Sequence, residues 1–157
     1  MPRGVRIALE CAVAALGSAG GPAFAQCVTF APAATNSSPY LEVQGIGDFN
    51  GDGKADLVAL GVSRVIVLMG NGDGTFQPPV LSATGISLPS TLAIGDFNGD
   101  GKADLALFGY FEGLQLLLGN GDGSFQAPAA NTAGGGGGKV AAGDFNSDGI
   151  SDVALVR

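Results

Sequence analysis

The sequence predicts an all-β chain of β-propeller blades, four-stranded antiparallel sheets that repeat along the chain. Two observations carry this expectation. "GDFNGDGKADL" at Gly47–Leu57 returns unchanged at Gly95–Leu105 and altered, as "GDFNSDGISDV", at Gly143–Val153, so Asp48, Asp96 and Asp144 recur at an interval of 48 residues. Between them runs a second repeated signal, "LMGNGDGTFQPP" (Leu68–Pro79) and "LLGNGDGSFQAP" (Leu117–Pro128). A period of this length holding four short strands, each sheet covered by its neighbours, describes a blade; a leucine-rich or hexapeptide solenoid has a much shorter period.

The elements follow in chain order. "MPRGVR" is a basic start, "IALECAVAALGSAGG" is apolar apart from Glu10, and "AFA" at Ala23–Ala25 fits a small-x-small cleavage site. Residues 1–25 therefore read as a signal peptide, against the plainer reading of an apolar N-terminus. The mature chain, residues 26–157, is expected to be secreted, periplasmic or at the cell surface, with no membrane span after cleavage. Only Cys27 survives cleavage, since Cys11 lies in the leader, so no internal disulfide is available.

"TFAPA" (Thr29–Ala33) echoes "TFQPP" and "SFQAP", so the repeat opens partway through a unit. The reading is an incomplete propeller of two full and two partial blades: a partial blade at 29–41, blades at 42–90 and 91–137, and a partial blade at 138–157. Within a unit a first strand ("LEVQGIG", "TLAIG", "KVAAG") precedes the aspartate loop. A second ("DLVAL", "DLALF", "DVALV") follows it, then a third ("RVIVLM", "LQLLL"), and a fourth begins at Phe76 or Phe125. These runs are short, bounded by Gly, Asn and Pro, and apolar almost throughout, as in sheets covered on both faces. The "GNGDG" stretches supply the positive-φ residues of tight hairpins, so Asp73 and Asp122 read as turn residues. "TAGGGGGK" (Thr132–Lys139) reads as a flexible link, since no GK[ST] follows it to make a phosphate loop.

The aspartate loops carry the chemistry. Numbered from the first aspartate, Asp48, Asn50 and Asp52 fall at positions 1, 3 and 5, Lys54 at 7 and Asp56 at 9. Asp96, Asn98, Asp100, Lys102 and Asp104 repeat the set, as do Asp144, Asn146, Asp148, Ile150 and Asp152. Ca²⁺ takes six to eight oxygens, and alternate side chains of a tightly curled loop converge on one point. Position 7 would offer its backbone carbonyl, which makes the side chains of Lys54, Lys102 and Ile150 immaterial. An EF-hand needs a Glu at position 12, where this chain has Ala59, Leu107 and Leu155. The loops are expected to hold up to three structural Ca²⁺ ions. Mg²⁺ fits less well because it demands octahedral geometry and keeps its waters. Phe49, Phe97 and Phe145, at position 2, read as hydrophobic anchors between blades.

Nine of the fourteen acidic residues lie in these loops, so much of the formal charge of −7 belongs to binding sites rather than to a surface seeking a basic partner. With seven Lys and Arg in all and no basic patch, nucleic acid is excluded as a partner.

"GDFNGDGKADL" followed by "LLGNGDGSF" resembles the FG-GAP/VCBS-type repeat, the blade of the integrin α-subunit propeller and of many secreted bacterial proteins. The resemblance covers nearly all of residues 29–157. It implies a Ca²⁺-binding propeller with metal in the loop between the first two strands of each blade. Family propellers usually close with about seven blades. The expectation is therefore either missing C-terminal blades or self-assembly with copies of the chain.

For function, a non-catalytic module binding a protein or glycan in adhesion is the leading expectation. Alternatives are the scaffold fragment of a carbohydrate-active enzyme or lectin, or a truncated remnant without activity of its own. The chain has no His and no Trp, and no carboxylate pair outside the loops, which argues against general acid–base catalysis. Tyr110-Phe111-Glu112 interrupts a hairpin where the first blade has Val62-Ser63; it reads as a turn insertion, or as a contact for a partner.

Overall fold

The computed structural model describes residues 42–128 and 138–156. The leader, Cys27, the partial blade at 29–41 and most of the glycine run lie outside them.

The architecture is all-β, an incomplete propeller of three sheets. β1 (Glu42–Gly47), β2 (Asp56–Gly61), β3 (Arg64–Leu68) and β4 (Val80–Ala83) form a four-stranded antiparallel sheet in sequence order. β5 (Pro89–Gly95), β6 (Asp104–Gly109) and β7 (Gly113–Leu117) form the second, and β8 (Lys139–Gly143) pairs with β9 (Asp152–Val156) in the third. Among the described residues no helix is long and apolar enough to cross a membrane.

The repeat is visible in the register. Gly47 faces Asp56, Gly95 faces Asp104 and Gly143 faces Asp152, so each aspartate loop closes a hairpin at the same place. The first strands of the first two sheets also shift register at one residue, between Val43 and Gly45 and between Pro89 and Thr91.

The predicted fourth strands differ from those observed. Phe76 makes a single bridge to Gly70, and the strand itself starts at Val80. Pro78 and Pro79 intervene and have no N–H to give to a ladder. In the second sheet Phe125 likewise bridges Gly119, and residues 129–137, where the counterpart of Val80–Ala83 would fall, lie outside the described residues.

Side-chain alternation decides which face meets which neighbour. A Cβ on Gly45 or Gly47 would meet Ile94 of β5 at 2.8 or 3.6 Å, so these residues face the second sheet. Val58, Leu60, Val65 and Val67 share that face and are buried against Leu92, Leu105, Leu107 and Leu117 in one core. Every residue of β6 is buried, because sheets lie on both sides of it. Its near-continuous apolar sequence is what that position requires.

Close approach sets one further requirement. A Cβ on Gly119 would lie 2.3 Å from the Ala103 carbonyl oxygen, and one on Gly70 would lie 2.2 Å from that of Ala55. Backbone cannot yield as a flexible side chain can. Gly119→Ala is expected to destabilise the fold by about 1–3 kcal/mol, read as a lower midpoint in urea unfolding.

Candidate metal centre

Each aspartate loop is a curl wound around its first side chain. In the first, Asp48 Oδ1 accepts the N–H groups of Asn50, Gly51 and Asp52, and its Oδ2 accepts that of Gly53 at 2.8 Å. Asn50 Oδ1 then accepts the N–H of Asp52, and Asp52 Oδ1 that of Lys54. These successive turns need positive φ at Gly51 and Gly53, which take +73° and +76°. The loop at Asp96 repeats the pattern through Asn98, Gly99, Asp100, Gly101 and Lys102. The loop at Asp144 repeats it with Ser147 where the others have glycine, at φ 64°.

The convergent N–H groups favour the charged carboxylate. The Gly53 amide, first among them, holds Asp48 below the usual carboxylate range; Gly101 does so for Asp96 and Gly149 for Asp144. For Asp52 the leading cause is the Lys54 amide. Groups lowered in this way contribute stability above the ordinary carboxylate value and lose it as pH falls through the lowered one.

Position 9 has a different environment. Asp56 and Asp104 are fully buried. Asp56 Oδ2 accepts the Phe49 N–H and its Oδ1 the Gly70 N–H, both at 2.8 Å. Asp104 does the same with Phe97 at 2.9 Å and Gly119 at 2.7 Å. The residue thus ties the start of the loop to the end of the third strand. In the third sheet Asp152 accepts the Phe145 N–H at 3.0 Å. Reading the sequence by loop positions alone missed Gly70 and Gly119 as partners. Their only signal was that "GNGDG" follows each full aspartate loop.

At position 7 the two lysines reach the carboxylate at position 5 of their own loop, Lys54 Nζ to Asp52 at 3.1 Å and Lys102 Nζ to Asp100 at 3.7 Å, and Ile150 packs on a neighbouring loop, against Gly99. Asp73 and Asp122 behave as turn residues: each accepts from both the amide and the hydroxyl of the residue two further on, Thr75 or Ser124.

Among the described residues no three His, Cys, Asp or Glu side chains are gathered closely enough to make a ligand group. The donor set nevertheless suits a hard cation. Each loop offers carboxylate, amide and carbonyl oxygens, joined in the third by the hydroxyls of Ser147 and Ser151. A carboxylate has about four acceptor positions; Asp56 and Asp104 each use two, whereas Asp48 and Asp96 each accept four of their loop's own N–H groups. The residues fit Ca²⁺ better than any metal that needs nitrogen or sulfur.

The hairpin insertion is anchored at one end only. Glu112 Oε1 accepts the Ser87 N–H at 3.0 Å, whereas Tyr110 and Phe111 are exposed and pack edge to face at 5.1 Å.

The profile of the FG-GAP-like repeat matches residues 48–107 and 96–155. No curated protein matches the chain. Among solved structures, a lectin of Agrocybe aegerita, described for its specific recognition of non-reducing terminal N-acetylglucosamine, is similar at 26% identity with a TM-score of 0.56. The match covers 71% of this chain and 31% of the lectin chain. This chain thus spans well under half the length of that protein.

Proposed function

The chain belongs to the FG-GAP-like repeat family, and from that membership we propose an exported, calcium-stabilised propeller module that binds glycan and performs no catalysis of its own. The similarity to a lectin that recognises terminal N-acetylglucosamine carries the glycan assignment. Surfaces on the blade-connecting loops would meet the sugar, as binding residues often sit on loops held by a rigid scaffold. The lack of histidine and of a free carboxylate pair supports binding over turnover.

Calcium in this reading is structural. Asp48, Asn50, Asp52, Asp56 and the Lys54 carbonyl would hold one ion, and the loops at Asp96 and Asp144 would hold the others through the same positions. The ion would neutralise carboxylates that repel one another.

A glycan array probed with the full chain in calcium buffer tests the function. The expected result is retention on glycans ending in non-reducing N-acetylglucosamine, each recovered with unchanged mass. A folded sample that binds no glycan would overturn the glycan assignment, and cleaved products would overturn the non-catalytic one.

A further inference from the structure

We propose that the cleft between the first and second sheets, at the end away from the aspartate loops, takes the non-reducing end of a neutral glycan. The inference rests on the glycan reading above and gives that reading a place.

The place follows from the register. Glu42 pairs with Leu60, on the face that turns toward the second sheet. Beside it the strand shifts register between Val43 and Gly45, and a bulge of this kind re-aims the side chain it carries, here that of Gln44. Across the gap Leu88 precedes β5 and Pro89 begins it. With the turn at Val62 these residues bound a cleft of about 90 Å³.

The repeat shows that the polar groups of the cleft are not there to hold the fold. Counting on by 48 residues, Gln44 corresponds to Leu92, which is buried in the core, and then to Val140. Glu42 corresponds to Ser90, whose hydroxyl donates to the Phe108 carbonyl at 3.0 Å. Among the described residues no hydrogen bond or ion pair engages the Glu42 carboxylate or the Gln44 amide. Positions that serve packing and a backbone bond in the second blade thus carry free polar groups in the first.

The two sides of the cleft are fastened together. The Ser63 N–H and hydroxyl donate to the Ser87 carbonyl at 3.1 and 3.3 Å, which ties the Val62 turn to the segment carrying Leu88. From the other side the Ser87 N–H donates to Glu112. A site held in shape before the ligand arrives loses less freedom on binding.

The chemistry fits a sugar edge. Glu42 accepts from hydroxyls, and the Gln44 amide both donates and accepts. Val62 and Leu88 are exposed and offer apolar surface to ring C–H groups or to an acetamido methyl. No Lys or Arg lines the cleft, so an acidic sugar finds no counter-charge there. A space of this volume holds several waters, which suits the end of a glycan and not the middle of a chain.

Amide NMR of the full chain, titrated with N-acetylglucosamine in calcium buffer, tests this. The largest shifts are expected at Glu42–Gln44, Val62–Ser63 and Ser87–Leu88. Glu42→Ser and Gln44→Leu install the residues that the second blade carries at these positions, so both are expected to fold. Each removes a hydrogen-bonding group and should weaken binding about tenfold, with amide positions elsewhere unchanged. Phe111→Ser, on the exposed hairpin tip, should leave the affinity as it was. Shifts centred elsewhere, affinity that survives both cleft substitutions, or affinity lost only in Phe111→Ser would overturn this site and leave the glycan reading standing. A folded wild-type chain that responds to no sugar overturns both.

Discussion

Removing calcium is expected to lower the thermal unfolding midpoint by roughly 10 °C for each loop that had been saturated. A site filled at about a hundredfold over its Kd contributes about 2.7 kcal/mol to the folded state. For a domain of this size one kcal/mol moves the midpoint by a few degrees. The physical origin lies in the curl. Asp48 and Asp52 are brought round one turn, and among the described residues their compensation is the loop's own amides and the Lys54 ammonium. A divalent ion adds charge where those groups supply only partial charge or one exposed pair. Differential scanning calorimetry with and without chelator measures the shift, and magnesium should restore less of it than calcium. An unchanged midpoint after complete metal removal would defeat the structural-calcium assignment.

Asp104→Ala is expected to cost about 2–5 kcal/mol, because the buried N–H of Gly119 and the partly buried N–H of Phe97 lose their acceptor together. The side chain is fully buried, so water does not readily replace it. Asp104→Asn keeps the volume but one acceptor oxygen becomes a donor, and about half the loss is expected. The comparison with Asp100→Ala separates two roles. Asp100 is partly exposed and accepts the Lys102 amide within the loop, so its loss should matter chiefly when calcium is present. Asp104→Ala should be destabilised in chelated buffer too. Urea unfolding of both variants in the two buffers measures this; equal losses confined to calcium buffer would make Asp104 a ligand and nothing more.

Most of the architecture was legible because its signals are local. The interval between Asp48, Asp96 and Asp144, the apolar runs and the Gly-rich turns predicted the hairpins, and the observed registers place all three aspartate loops alike. The start of the fourth strand was less legible. Phe76 looks like strand in sequence, but Pro78 and Pro79 delay the ladder to Val80. The two uses of aspartate were not legible at all. Asp48 and Asp56 are the same residue type in one loop, yet one is wrapped by the loop's own amides and the other reaches Gly70, fourteen residues away.

Sequence alone determined the blade, its period and the oxygen-rich loop, since strand, turn and curl depend on neighbours along the chain. Only the tertiary structure decided what the repeated residues experience. Phe49 and Phe145 occupy identical positions in their repeats, and one is buried while the other is exposed. Burial depends on which sheet lies across the gap, and no residue in the loop encodes that.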